Sequence, residues 1–405
     1  MSGSDNIYDI AIVGGGIVGT TLAAALKDTG IKIAIIEAQA TEIGVSRRQS
    51  YALSIMSGKI FQGVGVWDDI FPHVGKFSNI KLSDNDYPTY VPFIKEELQT
   101  DYLGYVGEHH TILGALQSFT AEKENIDWLC PASVIEVVYT PDDARITVEI
   151  DGKIQQLKAK LVVGADGAKS QIRQWAGIKT RGWKYWQSCV TFTLKHNLPS
   201  NDTAFERFCA TGPMGILPLP DDRFQIVWTA PHDTAQNLQA SGEAEFMAQL
   251  HQHTGGVLGS VRLVSPRVLF PVQLMQCDRY IASRLALIGD AAHCCHPVGG
   301  QGLNLGIRDA AALAQVLMEA TKEGQDIGQV KVLKQYEQWR KRENLAILGF
   351  TDLLDRMFSS HWLPLIIIRR VGLNMMRHIP PLKRFALKVM TGFKGKIPQL
   401  AVRVD

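Results

Sequence analysis

The chain has 405 residues, 46% of them hydrophobic, with 42 basic and 40 acidic side chains. This length allows two domains, and the near balance of charge excludes a protein that binds nucleic acid through its overall charge. Six cysteines in so long a chain predict no disulfide framework, and we expect neither a signal peptide nor a membrane span, since the apolar tract at 362–368 is too short. We therefore expect a cytoplasmic protein, with peripheral contact on the inner face of a membrane as a further expectation.

The first segment predicts one βαβ unit. Strands are expected at residues 8–13 and 32–37, with a glycine-rich turn and a helix at 20–29 between them. Two later segments, at 159–163 and 285–288, are again short apolar strands that enter glycine turns. Nucleotide-type segments therefore come from three separated parts of the chain.

The turn of the βαβ unit has the spacing of a dinucleotide site. Gly14 permits the tight turn, Gly16 lets the backbone approach a pyrophosphate, and Gly19 lets helix and strand pack closely. Glu37 ends the second strand, where its carboxylate can accept hydrogen bonds from ribose hydroxyls. The strand, helix and acid together favour this interpretation over a glycine turn without function, but they do not choose between NAD and FAD.

Alternating strands with Pro/Gly turns fill the regions between these segments, which predicts an antiparallel sheet. The rest of the chain, from about residue 332, reads as mostly helical. We therefore predict three units: a discontinuous nucleotide-binding domain (1–75, 105–180 and 275–360), an inserted β-sheet substrate domain (76–104 and 181–274) and basic amphipathic C-terminal helices (361–405).

Two acidic residues follow the later strands. Asp166 lies in GADGAKS and Asp290 in GDAAH, each between small residues at a strand's end. Asp290 is placed to bind a sugar-alcohol hydroxyl. Asp166 has a second interpretation, as part of an Asp-Gly turn before a helix capped by Ser170.

The stretch HCCHPVGGQGLN, residues 293–304, suggests a metal site at first sight. Cys294 and Cys295 are adjacent and point apart, and His293 and His296 alone make an incomplete ligand set, so we predict no metal. The two histidines are open to two interpretations, proton movement or bracing of the loop.

The glycines in this stretch favour a planar ligand. With Pro297, residues Gly299, Gly300 and Gly302 let the backbone lie flat against a large ring, and a helix starting near Leu303 points its N-terminus at it. A flavin gains negative charge at one edge on reduction, which such N–H groups stabilise. We therefore expect a flavin here.

These three motifs in this order resemble the single-component flavoprotein aromatic hydroxylases. The closer resemblance is to the ubiquinone-biosynthesis hydroxylases, through HPVGGQGLNLGIRD at 296–309, GGGIVG, GADGAKSQIR and the GPMGILPLP strand at 212–220. The resemblance implies an α/β fold: an FAD-binding, Rossmann-like domain of the glutathione-reductase type, an inserted antiparallel β-sheet substrate domain and C-terminal helices.

The resemblance also implies the site. It places non-covalent FAD on Gly14, Gly16, Gly19 and Glu37 at the adenosine side, on Asp290 at the ribitol, near Asp166 at the pyrophosphate, and beside Pro297, Gly300, Gly302, Leu303 and Asn304 at the ring. One departure concerns the position three residues before Ala52-Leu53-Ser54, where the family usually has an arginine and this chain has Gln49. We expect Arg48 to supply that cation, with a solvated loop charge as the alternative.

The implied reaction is hydroxylation of a prenylated phenol in the biosynthesis of a quinone, of ubiquinone or plastoquinone type. NAD(P)H reduces the flavin, O2 adds at C4a, and the hydroperoxide transfers oxygen to the ring. We expect Pro297, Gly299 and Gly300 to act by shielding and positioning, with no acid–base residue assigned. We expect the substrate ring to lie under the inserted sheet, near 215–218 and Trp228, and of the two interpretations of Trp228, a site aromatic or a core aromatic, the core one is favoured. A complex of quinone-biosynthesis enzymes is a further expected partner.

Two alternatives stay open from the residues. One is hydroxylation or epoxidation of another aromatic or isoprenoid compound by the same chemistry. The other is a non-catalytic binding protein on the same fold, against which the intact GDAAH and GQG loops argue.

The last fifty residues are basic and apolar. No acidic residue occurs from Arg356 to Val404, which favours helices on an anionic lipid surface. The alternative is a terminal helix packed on the FAD domain. The basic residues interleaved with apolar ones include Arg369, Arg370, Arg377, Lys383, Arg384, Lys388, Lys394 and Lys396.

Overall fold

The computed structural model describes residues 6–40, 49–84, 89–199 and 201–402. The helices in these ranges are α1 (Ile17–Ala25), α2 (Ile55–Val64), α3 (Trp67–Ile70), α4 (His109–Ala121), α5 (Gln171–Trp175), α6 (His232–Ala240), α7 (Glu243–Thr254), α8 (Gln301–Lys322), α9 (Val330–Phe358), α10 (Leu363–His378) and α11 (Pro380–Met390). The strands are β1 (Asn6–Val13), β2 (Ile33–Ile36), β3 (Ser50–Ser54), β4 (Gly75–Phe77), β5 (Asn79–Asp84), β6 (Tyr90–Ile94), β7 (Gly104–Glu108), β8 (Ile126–Leu129), β9 (Ala132–Tyr139), β10 (Ala144–Ile150), β11 (Lys153–Gly164), β12 (Thr180–His196), β13 (Thr203–Phe208), β14 (Met214–Leu219), β15 (Arg223–Pro231), β16 (Val261–Leu263), β17 (Val268–Cys277), β18 (Ile281–Ala282), β19 (Leu285–Leu287) and β20 (His293–Cys294).

The first sheet gathers the three nucleotide-type segments. Its strand order is β18-β19-β11-β1-β2-β8, and β1 pairs in parallel with both β2 and β11. The predicted βαβ unit is confirmed, but its helix lies earlier than the predicted 20–29. It begins at Ile17, because its N-cap is Gly16 inside the glycine turn, and it ends at Ala25. The sheet therefore brings the ends of β1, β2, β11 and β19 to one edge, as parallel strands do.

The second sheet has the order β20-β17-β12-β15-β14-β13-β5-β6, with β16 beside β12. Most of its pairs are antiparallel, as predicted, but β13 and β5 pair in parallel. A parallel pair needs a long crossover, and the chain between β5 and β13 supplies it by passing through the first sheet. Strands from 76–104 and 181–274 enter this sheet, while β4 and β7 at the margins of the first range join β3 in a small third sheet. The exact domain division stays a prediction.

The C-terminal helices pack against the second sheet. Phe358, Leu373 and Leu387 share one apolar cluster with Phe93 of β6. Leu400, beyond these helices, joins the apolar cluster of the first sheet. The packed-helix alternative therefore fits the end of the tail, whereas the two helices before it lie on the second sheet. Within the described ranges, no helix is long and apolar enough to cross a membrane.

Candidate active site

A deep cavity of about 440 Å³ lies where the carboxyl edge of the first sheet faces the second sheet. A second cavity of about 380 Å³ lies beside it, over the turn that follows β1. Both are lined in part by Gly16, His109, Ala165 and Gly167, so the two form one continuous cleft. Its length suits an extended ligand that runs from Glu37 at one end to the second sheet at the other.

The glycine turn forms a cradle at the middle of this cleft. Gly14 has a φ of 108°, and a Cβ there would lie 2.4 Å from the carbonyl oxygen of Ala165. A Cβ on Gly19 would lie 2.1 Å from the carbonyl oxygen of Gly14, whereas a Cβ on Gly16 would project into open space. No side chain caps the N-terminus of α1. Its free N–H groups therefore face the cleft at Gly16, which is the geometry that binds a pyrophosphate.

Two carboxylates line the outer part of the cleft, those of Glu37 and Asp166. Glu37 accepts hydrogen bonds from the N–H groups of Gly15 (2.7 Å) and Gln39 (2.8 Å). Asp166 Oδ2 accepts from the N–H groups of Gln171 and Ile172 at the start of α5, whose N-cap is Ser170, as predicted. Among the described residues its Oδ1 is buried without a hydrogen-bond partner. An unpaired buried oxygen that lines a cleft points to a ligand that donates to it.

Asp290 lies at the other side of the glycine turn. Its side chain lines the cavity and meets solvent there, while the surrounding protein removes part of its water and so raises the pKa of the carboxyl group. The buried Arg173 connects the two acidic loops: its guanidinium donates to the carbonyls of Ala291 (2.9 Å) and Ala168 (2.8 Å). Sequence reasoning gave Arg173 no role, although it holds Asp166 and Asp290 on one edge of the sheet.

The loop before α8 forms one wall of the cavity. Pro297, Gly299, Gly300, Gly302 and Leu303 all line it. Gly299 (φ 67°) and Gly300 (φ 61°) adopt the left-handed conformation that favours glycine, and a Cβ on Gly300 would lie 2.8 Å from that of Ala52. No side chain caps α8, so its first N–H groups face the cavity. This wall suits the flat ring that the glycines predicted.

The side chain of Asn304 is hydrogen-bonded within the protein. Its Oδ1 accepts from Ser54 N (2.8 Å) and Ser57 Oγ (2.7 Å), while its Nδ2 donates to the carbonyls of Ala52 (2.8 Å) and Gly300 (2.7 Å). Its amide is fully paired and it does not line the cavity. These contacts favour a brace between the loop and β3 over direct cofactor contact through the side chain.

The two histidines of the HCCH stretch are buried in separate polar contacts. His293 Nε2 lies 2.6 Å from Oδ2 of the buried Asp309. His296 accepts a hydrogen bond from Val298 N (3.3 Å) at Nδ1, and its Nε2 lies 3.5 Å from Asp355. Burial lowers the pKa of His296 to about 4, so the ring is neutral near pH 7. These contacts support the loop-bracing interpretation.

The predicted cation, Arg48, lies outside the described residues. Its neighbour Gln49 lines the cavity and accepts a hydrogen bond from Tyr51 Oη (3.1 Å). The role of Arg48 stays a prediction.

The second sheet forms the opposite wall. Its pairing aligns Glu206, Gly215, Val227 and Thr191 in one row across four strands, and all four line the cavity. The predicted ring position near 215–218 lies at the cavity, since Gly215 and Leu217 line it. Trp228 packs in the apolar core on the other face of the sheet and does not line the cavity. Glu206 was missed by sequence reasoning. Because strand side chains alternate, one of the two adjacent charges at 206 and 207 had to face inward, but the register could not be read from the sequence.

Known proteins similar to this chain agree with the geometry. A family model described as an FAD binding domain matches residues 7–122 and 133–351. The chain is 56% identical to the uncharacterized protein slr1300 of Synechocystis over 98% of this chain and 96% of that one. It is 35% identical to the ubiquinone hydroxylase UbiL of Rhodospirillum rubrum, over 96% and 90% of the two chains. The crystal structure of p-nitrophenol 4-monooxygenase PnpA from Pseudomonas putida DLL-E4 superposes with a TM-score of 0.82 at 19% identity, covering 97% and 99% of the chains.

Proposed function

The chain belongs to the FAD-dependent monooxygenases that include the ubiquinone-biosynthesis hydroxylases, and we propose that it hydroxylates the aromatic ring of a prenylated phenol in quinone biosynthesis. The substrates are the phenol and O2, and NAD(P)H is the proposed electron donor. The observation that carries the proposal is the single cleft that runs from Glu37, over the glycine cradle, to a cavity closed by the second sheet.

The residues of this cleft fit FAD. The open space at Gly16, the unpaired Oδ1 of Asp166 and the uncapped start of α8 are three sites that a dinucleotide with a flat ring would occupy. We propose that Glu37 binds the ribose, Asp290 the ribitol, and the loop at 297–303 the ring. When bound, the flavin supplies electron transfer and the activation of O2.

The chain's own residues would exclude water and hold the substrate ring. The wall at Pro297, Gly299 and Gly300 closes the cavity from one side, and the sheet wall closes it from the other. Such closure protects the reactive oxygen from release as hydrogen peroxide. The cavity volume is within the range of small-molecule sites.

We propose that the substrate's apolar tail leaves the cavity toward the C-terminal helices. Met390, the last residue of α11, lines the cavity. The outer face of α10 beyond it carries exposed Leu363, Ile367, Val371 and Met375 at a spacing of four residues, which places them on one side of the helix. This stripe, with the exposed Trp362 beside it, is proposed to lie in the surface of an anionic membrane.

Not all basic residues of the tail are free to contact anionic lipid headgroups. Arg369 is 3% exposed and pairs with Asp84 at 2.9 Å, and Lys383 pairs with Glu97 at 2.5 Å. The expectation that these two residues face lipid is wrong, because both stabilise the packing of the tail on the second sheet. The basic residues of the tail that are exposed, and that we propose contact lipid headgroups, are Arg377, Arg384, Lys388, Lys394 and Lys396.

Vesicle binding tests the membrane proposal. Arg377→Glu, Arg384→Glu and Lys388→Glu combined should weaken binding to phosphatidylglycerol/phosphatidylcholine vesicles by at least about tenfold at low salt, since each basic residue contributes about 1 kcal/mol. Reversal of three exposed charges elsewhere, for example Lys153, Lys195 and Lys331, is the control. Equal binding by the two variants would refute the proposed surface.

The activity is tested with purified, FAD-loaded enzyme and 2-prenylphenol as a short-chain probe. NADH and NADPH are compared, and under 18O2 the product should gain one labelled oxygen on the ring. Oxygen on the prenyl double bond would instead favour an epoxidase. A colourless protein that binds no FAD would favour the binding-protein alternative. Co-purification of other quinone-biosynthesis enzymes with the full-length chain tests the proposed complex.

A further inference from the structure

Glu206 is an acidic side chain on the sheet wall of the cavity. It lies on β13 directly opposite Gly215 of β14. Because Gly215 has no side chain, nothing on that neighbouring strand covers the carboxylate; a Cβ there would lie 3.8 Å from Oε2. The gap leaves Glu206 facing the space where a ring would lie.

The neighbouring polar side chains of this wall are engaged within the sheet. Gln225 Nε2 donates to the carbonyl of Phe192 (3.2 Å), and Thr229 Oγ1 lies 3.1 Å from Cys189 Sγ. Glu206 instead faces the backbone N–H of Gly299, on the opposite wall, which lowers the pKa of its carboxyl group. Its carboxylate therefore bridges toward the loop proposed to hold the flavin ring, and a substrate ring between the two walls would contact it.

We propose that Glu206 binds the phenolic hydroxyl of the substrate and takes its proton as the ring is hydroxylated. This inference rests on the proposed function, because it needs a phenol in the cavity. Among the described residues, no basic side chain forms an ion pair with Glu206. A buried carboxylate without such a partner is unfavourable for folding, and such groups mark functional sites.

The proposed step balances in atoms and electrons. The phenolic O–H bond breaks, its electron pair stays on oxygen, and the proton moves to a Glu206 oxygen. The electron-rich ring then forms its new C–O bond, ortho or para to the phenolate, with the electrophilic oxygen that the family's flavin and O2 chemistry supplies. Loss of the ring proton to water restores aromaticity, and the phenolate takes its proton back from Glu206, which ends the cycle as a carboxylate.

The surroundings of Glu206 suit a base near neutral pH. Burial raises the pKa of its carboxyl group to about 7, and the Gly299 N–H partly offsets that shift. A base is most effective when its pKa is near the working pH. The other titratable groups that line this cavity, or lie behind the sheet wall beside it, are Tyr51, His109, Asp290, Cys294, Cys295 and Cys189.

Glu206→Gln separates proton transfer from bracing. Glutamine keeps an oxygen that can accept the Gly299 N–H, so a purely structural role would survive the change. We expect the rate with 2-prenylphenol to fall about 100-fold at pH 7 with FAD content unchanged. In the wild type the rate should rise with pH through about 7; in the variant this rise should move toward about 10, the ordinary pKa of a phenol. Glu149→Gln, an exposed carboxylate on β10, is the matched control.

Binding gives a readout that does not depend on turnover. Wild type should bind 2-prenylphenol about tenfold more tightly at pH 8 than at pH 6, since a carboxylate accepts a phenol hydrogen bond more strongly than its acid. Glu206→Gln should lose this pH dependence, and 2-prenylanisole, which has no hydroxyl, should show none with either protein. An unchanged rate profile and unchanged binding in Glu206→Gln would overturn the proposal. Phenol binding that follows these expectations without hydroxylation would refute the proposed function and leave Glu206 as the phenol-binding residue.

Discussion

Asp309→Asn tests the buried ion pairs that hold the loop beside α8. Asp309 and Arg340 are at most 1% exposed, and Asp309 Oδ1 accepts from Arg340 Nε at 2.8 Å. Its Oδ2 lies 2.6 Å from His293 Nε2 and accepts from Gly289 N at 3.1 Å. In the asparagine variant the negative charge is lost, and one side-chain oxygen that accepts hydrogen bonds is replaced by an NH2 group that faces the N–H donors of Asp309's partners. Breaking such a pair from one side destabilises a protein by roughly 3–5 kcal/mol.

Equilibrium urea unfolding at pH 7 with a fixed FAD concentration measures this change. Asp278→Asn is the control: Asp278 forms an ion pair with Arg181 at the same 2.8 Å, but Arg181 is 85% exposed, so the loss should stay below about 1 kcal/mol. Although burial alone would raise it, the neighbouring His293 and Arg340 hold the pKa of Asp309 well below its usual range. The stabilisation should therefore be complete above about pH 4 and be lost progressively at lower pH. Equal effects of the two substitutions at pH 7 would refute the reasoning.

Three other outcomes are expected. Gly16→Val should fold, because its Cβ meets open space, yet absorb little at flavin wavelengths, whereas Gly242→Val, which is equally open but outside the cleft, should stay fully loaded. Gly300→Ala forces a left-handed φ of 61° and a 2.8 Å contact, so product per NAD(P)H consumed should fall by more than FAD content. Gly255→Ala, at the same kind of left-handed φ (62°) but outside the cleft, should leave product per NAD(P)H near the wild-type value. His296→Gln should reduce the loss of stability between pH 6.5 and 4. Burial lowers the pKa of His296 to about 4, so over this range the unfolded state binds a proton that the folded state does not. In the wild type this difference lowers the free energy of unfolding by up to about 1.4 kcal/mol per pH unit. An identical pH slope in wild type and this variant would contradict the last expectation.

The sequence by itself predicted the fold and the parts of the site that depend on local backbone chemistry. The turn at Gly14, Gly16 and Gly19 depends on local backbone geometry and not on distant contacts. Gly299 and Gly300 adopt backbone angles that few other residues tolerate. Spacing along one strand, turn and helix carries this information, so the two glycine motifs and the family resemblance could be read directly from the chain.

The tertiary structure decided the roles of side chains whose partners lie far away in sequence. Asn304 accepts hydrogen bonds from Ser54 and Ser57, which lie some 250 residues earlier in the chain. Arg369 of the basic tail is buried in an ion pair with Asp84 and does not face lipid. The inward direction of Glu206 follows from the register of β13 on β14, which one residue of slip would reverse. Period and composition are the same for a charge that faces solvent and for one that faces a cavity, so only the pairing of strands could place this carboxylate opposite the flavin loop.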